Sequence, residues 1–106
     1  MDQETTTLQL IYSGELQAKM KQIMTRGSDV VNKFAANYGS MTDDAAKDIM
    51  KEFFKVRRDR NELIEDYAKK FQRKLPATKV LQWVQVENKL NTLLDVQAAA
   101  IIPIAQ

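Results

Sequence analysis

Apolar residues recur along this chain at steps of three and four, the repeat of an amphipathic helix. No segment sustains the two-residue alternation of a strand, and neither Asn-Gly nor Asp-Gly occurs to turn a hairpin of strands. In the first third the stripe is Leu8, Ile11, Tyr12, Leu16, Met20, Ile23, Met24, Val30, Val31, Phe34 and Tyr38. It predicts a helix over about residues 6–38. Gly27 lies on that stripe, where glycine costs about 1 kcal/mol relative to alanine. Three readings fit it: a tolerated weak point, a close helix crossing or kink, and a break at Arg26-Gly27-Ser28-Asp29 with Ser28 as a new N-cap.

Helix-breaking residues are few, with Gly only at 14, 27 and 39 and Pro only at 76 and 103, so the helices between them are long. Asn37-Tyr38-Gly39-Ser40 is a stop, because Gly39 can take the left-handed conformation that closes a helix. Thr42 is placed to cap the next helix, and Asp43 and Asp44 suit the positive end of its dipole. Met41 is positioned to staple onto Ala46. Lys69, Lys70, Arg73 and Lys74 suit the negative end. Asp43/Lys47, Glu65/Lys69 and Asp66/Lys70 are paired four apart in the favoured order. The second helix therefore runs over about 42–74.

Pro76 cannot continue that helix but suits the first turn of another, which Pro103 ends near residue 101. The link at Leu75-Pro76 is short enough to make the two helices antiparallel neighbours. The predicted fold is one all-α domain over 1–106: a long antiparallel hairpin of helices 42–74 and 77–101, with an added N-terminal helix and a dimeric assembly.

The facing stripes of the hairpin are Ala46, Met50, Phe53, Arg57, Arg60, Ile64, Tyr67, Phe71 and Val80, Val84, Glu87, Asn91, Leu94, Ala98, Ile101. With a rise of about 1.5 Å per residue in both arms, folding at 75–76 brings Arg60 within about a turn of Glu87 and close to Asn91. An Arg60–Glu87 ion pair is expected there, with Asn91 hydrogen-bonded nearby and Arg57 reaching Asp95. Such a layer serves either as a register lock or as a polar site for a ligand. Phe54, Leu63, Leu81, Trp83 and Leu93 fall outside what one hairpin covers and form a candidate interface, which makes a homodimer the expected assembly. Phe53 and Phe54 cannot both face one way, since neighbours on a helix are about 100° apart.

Composition removes most chemistry. There is no cysteine and no histidine, hence no disulfide, no thiol nucleophile and neither of the commonest transition-metal ligands. The net charge of +2 gives no basic field for nucleic acid, and Arg57-Arg58-Asp59-Arg60 is short and interrupted. No apolar run reaches the roughly 18 residues of a membrane span. No phosphate-binding glycine loop or nucleophile elbow is present. Two weaker constellations remain. Asp43, Asp44, Asp48 and Glu52 form an acidic cluster able in principle to hold a divalent cation, and otherwise a dipole cluster answered by Lys47, Lys51 and Lys55. Met20 and Met24 are either soft copper ligands or core residues. No enzymatic activity, metal or cofactor is expected.

Two segments carry a resemblance. Met41-Thr42-Asp43-Asp44-Ala45 is similar to the L-T-x-x-Q element of the Spy/CpxP-like periplasmic stress proteins, with Met for Leu and Ala for Gln. Leu75 to Leu90, reading LPATKVLQWVQVENKL, and Ala98-Ala99-Ala100-Ile101-Ile102-Pro103 resemble the last helix of small exported bacterial proteins of the same plan. The resemblance spans the C-terminal two-thirds of the chain. It implies an all-α envelope protein, often dimeric, acting in stress response. Members that act as chaperones hold unfolded clients on an apolar, basic face, whereas the metal-sensing members use His and Met ligands. The expected function is a binding or chaperone-like role in the periplasm, with unfolded or other envelope proteins as partners. The polar start Asp2-Gln3-Glu4-Thr5-Thr6-Thr7 matches a mature domain whose leader has been removed. The alternatives are a structural or regulatory interaction domain without client binding and a metal or ligand sensor.

Overall fold

The computed structural model describes residues 14–101, with side chains through Asp95. Three helices make up the described residues, and no strand occurs among them: α1 (Gly14–Asn37), α2 (Asp43–Gln72) and α3 (Ala77–Ile101). The expected start near Thr6, the stripe residues Leu8, Ile11 and Tyr12, the side chains of Ala98 and Ile101, and the stop at Pro103 lie outside the described residues.

Local chemistry sets the boundaries. Gly39 has φ 86°, the left-handed conformation that L residues avoid. Thr42 is extended, and its Oγ1 accepts from the Ala45 amide at 3.1 Å, so one free donor of the first turn of α2 is satisfied. At the other end the amides of Lys74 and Leu75 both donate to the Phe71 carbonyl, at 3.0 and 2.8 Å. The Pro76 carbonyl then accepts from Val80 at 3.2 Å and opens α3. Helix α1 passes through Gly27 without a break, and a Cβ there would meet nothing within 4 Å. Neither the close crossing nor the second N-cap at Ser28 occurs, and Gly27 is a tolerated weak point in a continuous helix.

The buried cluster lies around the link between α2 and α3: Leu16, Ile64, Tyr67, Phe71, Leu75, Val80 and Trp83, with Met20, Leu63, Ala68 and Val84 packed against it. Phe71 meets Trp83 edge-on at 4.8 Å and Tyr67 at 5.9 Å, geometries that aromatic pairs favour. Along α1 the buried residues are Leu16, Ile23 and Val30, seven apart, which is the spacing of a coiled-coil seam. Helix α2 contacts both α1 and α3. The molecule is rod-like, 57 × 22 × 20 Å, with a radius of gyration of 16.9 Å; a compact domain of this length has about 13 Å.

Candidate functional site

Two features beyond the core bear on function. One is the polar layer, the other an apolar face that continues past it.

In the polar layer, Arg60 Nη2 donates to the backbone carbonyl of Glu87 at 3.0 Å and lies 3.9 Å from the Glu87 carboxylate. Both side chains are largely covered, 15% and 20% exposed. Burial lowers the Arg60 pKa from its usual value, and the negative charges of Glu87 and Asp95 oppose that shift. The expected Arg60–Glu87 ion pair is thus present at long range, and the guanidinium also bonds to the main chain. The guanidinium reaches the helix backbone first and meets the carboxylate only at its limit. Asn91 does not join Arg60; its amide donates to Asp95 four residues on, at 3.4 Å. Arg57 does not reach Asp95 either. Its guanidinium lies 5.3 Å from the Phe53 ring centroid, a cation–π arrangement on an exposed surface.

Beyond this layer the stripes continue but their cover stops. On α2, Met50, Phe53 and Phe54 are 51%, 42% and 53% exposed. On α3, Val86, Leu90, Leu93 and Leu94 are all at least half exposed. In the same stretch of α2 the partly covered positions are Ala45, Ala46, Ile49, Glu52 and Val56, most of them on another side of the helix. Next to the open stripe run Lys47, Lys51, Lys55, Arg57 and Arg58, all exposed. None of the five pairs with a carboxylate among the described residues. Ionic contacts form elsewhere, tying α1 to α2: Arg26 to Asp59 at 2.7 Å and Lys33 to Asp48 at 3.1 Å.

The interface residues expected from the pattern divide. Phe54, Leu81 and Leu93 are exposed. Trp83 is 6% exposed and belongs to the core, where it meets Phe71 edge-on, and Leu63 packs against that core. Met20 packs on the core while Met24 is exposed, so the two thioethers do not converge on a site. In the acidic cluster Asp48 is engaged by Lys33, and no group of three acidic side chains among the described residues is arranged to hold a metal ion. No described helix is long and apolar enough to cross a membrane.

Sequence reasoning missed a cluster at the opposite end, where Glu15 and Lys19 of α1 meet Tyr67 and Lys70 of α2. Lys19 and Lys70 lie 3.0 and 3.8 Å from the Glu15 carboxylate and 5.4 and 4.4 Å from the Tyr67 ring centroid. The hydrogen bond from Lys19, the nearby Tyr67 hydroxyl and the two ammonium charges lower the Glu15 pKa. The four-residue spacing of Glu15 and Lys19 marks their own pairing, but nothing in the sequence links them to Tyr67 and Lys70, about 50 residues away along the chain. No family model, curated protein or solved structure matches this chain.

Proposed function

We propose that this chain is a small exported helical protein that binds other polypeptides, in a chaperone-like role in the bacterial envelope, and that it is not an enzyme. One observation carries the reading: an apolar face of aromatic and aliphatic side chains is left open on the outer half of the rod, with five cations along its edge that pair with no carboxylate among the described residues. An unfolded chain offers the complementary surface, apolar side chains interspersed with carboxylates. The Spy/CpxP-like resemblance of residues 41–45 and 75–103 supplies the periplasmic setting and the stress context. The arrangement in this proposal is an antiparallel α2–α3 hairpin with α1 laid along α2. The pairing of Phe71 with Trp83 near the link, and of Arg60 with Glu87 further out, supports it.

Aggregation of a chemically denatured client, followed by light scattering, tests the role. Stoichiometric protein suppresses scattering, and Phe53→Ser/Phe54→Ser removes the suppression while helicity is retained. Undiminished aggregation with the wild-type protein overturns the proposal.

A second reading, a self-associating structural or regulatory domain, is favoured by α3. That helix carries apolar residues round much of its surface yet is covered on one side. A homodimer joining two open faces satisfies it. Sedimentation showing a monomer across the micromolar to millimolar range removes that reading and leaves the open face to clients.

A further inference from the structure

The apolar positions of α1 fall into two seams. Leu16, Ile23 and Val30 are buried. The second seam, Met20, Met24, Gly27, Val31 and Phe34, advances by four and three residues, the repeat of a coiled-coil stripe. Helix α3 has one as well: Trp83, Val86, Leu90 and Leu93, in steps of three and four. Met20 and Trp83 both pack in the cluster near the link, so the two seams leave one shared core. Beyond that core Met24 and Val31 on α1, like Val86, Leu90 and Leu93 on α3, are exposed.

The seams are also in step. Arg26 of α1 pairs with Asp59, and Arg60, the next residue of α2, pairs with Glu87. In the arrangement proposed above, α1 and α3 both run against α2. Their equal rise per residue then puts Met24 within about a turn of Leu90, and Gly27 within about a turn of Leu93. A Cβ at Gly27 would meet nothing within 4 Å, so that position has room for a leucine side chain.

Only one of the two arms is tied down. Arg26–Asp59 and Lys33–Asp48 hold α1 to the outer half of α2. Past Glu87, no hydrogen bond or ion pair among the described residues joins α3 to another helix. Asn91 bonds to Asp95 and Thr92 to the Asn88 carbonyl, both within α3. The Arg60–Glu87 layer is therefore the last tether before the free part of the arm.

We propose that α3 is a hinged arm: pivoting at the Arg60–Glu87 layer, its outer half closes on α1, with Leu90 against Met24 and Leu93 over Gly27. Closure joins two seams that already share a core, and it takes the α3 leucines out of the open apolar face. Its regulatory meaning, a closed form that holds clients poorly, rests on the client-binding reading; the closure itself does not.

The chain has no cysteine, so introduced pairs report the contact without background. Met24→Cys/Leu90→Cys, folded by circular dichroism and oxidised with glutathione disulfide at low micromolar protein, is expected to form an intramolecular disulfide at least tenfold faster than Met24→Cys/Leu81→Cys. Spin labels on Lys21→Cys/Lys89→Cys, which leave the apolar seams intact, are expected to show a second, shorter distance beside that of the open form. Cross-linking no faster than in the control pair, cross-links only between chains, or a single distance each overturns the proposal; cross-links between chains assign the seams to a second copy. The cross-linked protein is expected to suppress client aggregation at least threefold less than the same protein after reduction. Rapid cross-linking in a protein whose reduced form suppresses no aggregation upholds the closure and overturns the client role alone.

Discussion

The two halves of the rod are built from the same apolar stripe of α2 but end in different states. Near the link to α3, Phe71, Tyr67 and Ile64 are buried by Trp83, Val80 and Leu16. Farther out, Phe53 and Met50 continue the same helical positions and remain about half exposed, as does Leu94 on the facing helix α3. Spacing and residue type do not distinguish these halves; a third layer of cover does. Leu16 from α1 and Trp83 from α3 meet on one half only, and the Arg60–Glu87 layer lies where that cover ends. An amphipathic stripe thus shows that a face is suited to burial, and the partner that buries it must be found separately.

The largest test of this contrast compares equivalent truncations. Phe71→Ala is expected to lose about 3–5 kcal/mol in urea denaturation, the usual cost of an aromatic deletion in a packed core. Phe54→Ala is expected to stay within about 0.5 kcal/mol. Similar losses at both positions would mean that the outer half is covered in solution.

The boundary layer comes next. Arg60→Ala leaves the Glu87 carbonyl and carboxylate without their donor and should cost about 1–3 kcal/mol. Glu87→Ala keeps the 3.0 Å bond to the backbone and loses only the 3.9 Å charge contact, so it should cost less than about 1 kcal/mol. The reverse order would make the carboxylate the true anchor of the layer.

Two glycines give smaller effects of opposite sign. Gly39→Ala forces a side chain into a left-handed backbone and should destabilise by about 1 kcal/mol. Gly27→Ala, in open space within a helix, should stabilise by about 0.5–1 kcal/mol.

The smallest effect is alkaline. Burial, together with the Glu15 carboxylate, raises the Tyr67 pKa. Its contribution to stability is present below the unfolded tyrosine value of about 10 and is lost as pH rises through the folded value. Tyr67→Phe should therefore lose less stability than the wild type between neutral and alkaline pH, and equal losses would place the hydroxyl in water.

Much of the fold was legible in the sequence because helix ends are local events. Thr42, the paired aspartates, Gly39 and Pro76 each act within four residues, and the observed limits of α2 and the start of α3 lie within two residues of those expected. The Arg60–Glu87 meeting was legible as well, since a short link and a fixed rise per residue determine what faces what. The choice of acceptor was not, because a carbonyl is present at every position and leaves no mark in the pattern. Nor was the partial cover of Ala45, Ile49 and Val56, whose aliphatic side chains are overshadowed in the pattern by neighbouring Met50, Phe53 and Phe54. The Glu15–Lys19–Tyr67–Lys70 cluster depends on where α1 lies along α2, and no residue in either helix records that.

The spacing of Leu16, Ile23 and Val30 bears on how such a molecule can change length. Seven residues are nearly two turns, so a seven-residue duplication within both α1 and α2 lengthens the rod by about 10.5 Å and preserves its cross-section. An insertion of five swings every later side chain by about 140° and turns Val30 out of the seam. Variation among chains built on this plan should therefore come in whole heptads, matched in both helices, with the lengthening falling on the outer half and leaving the packed end as it is.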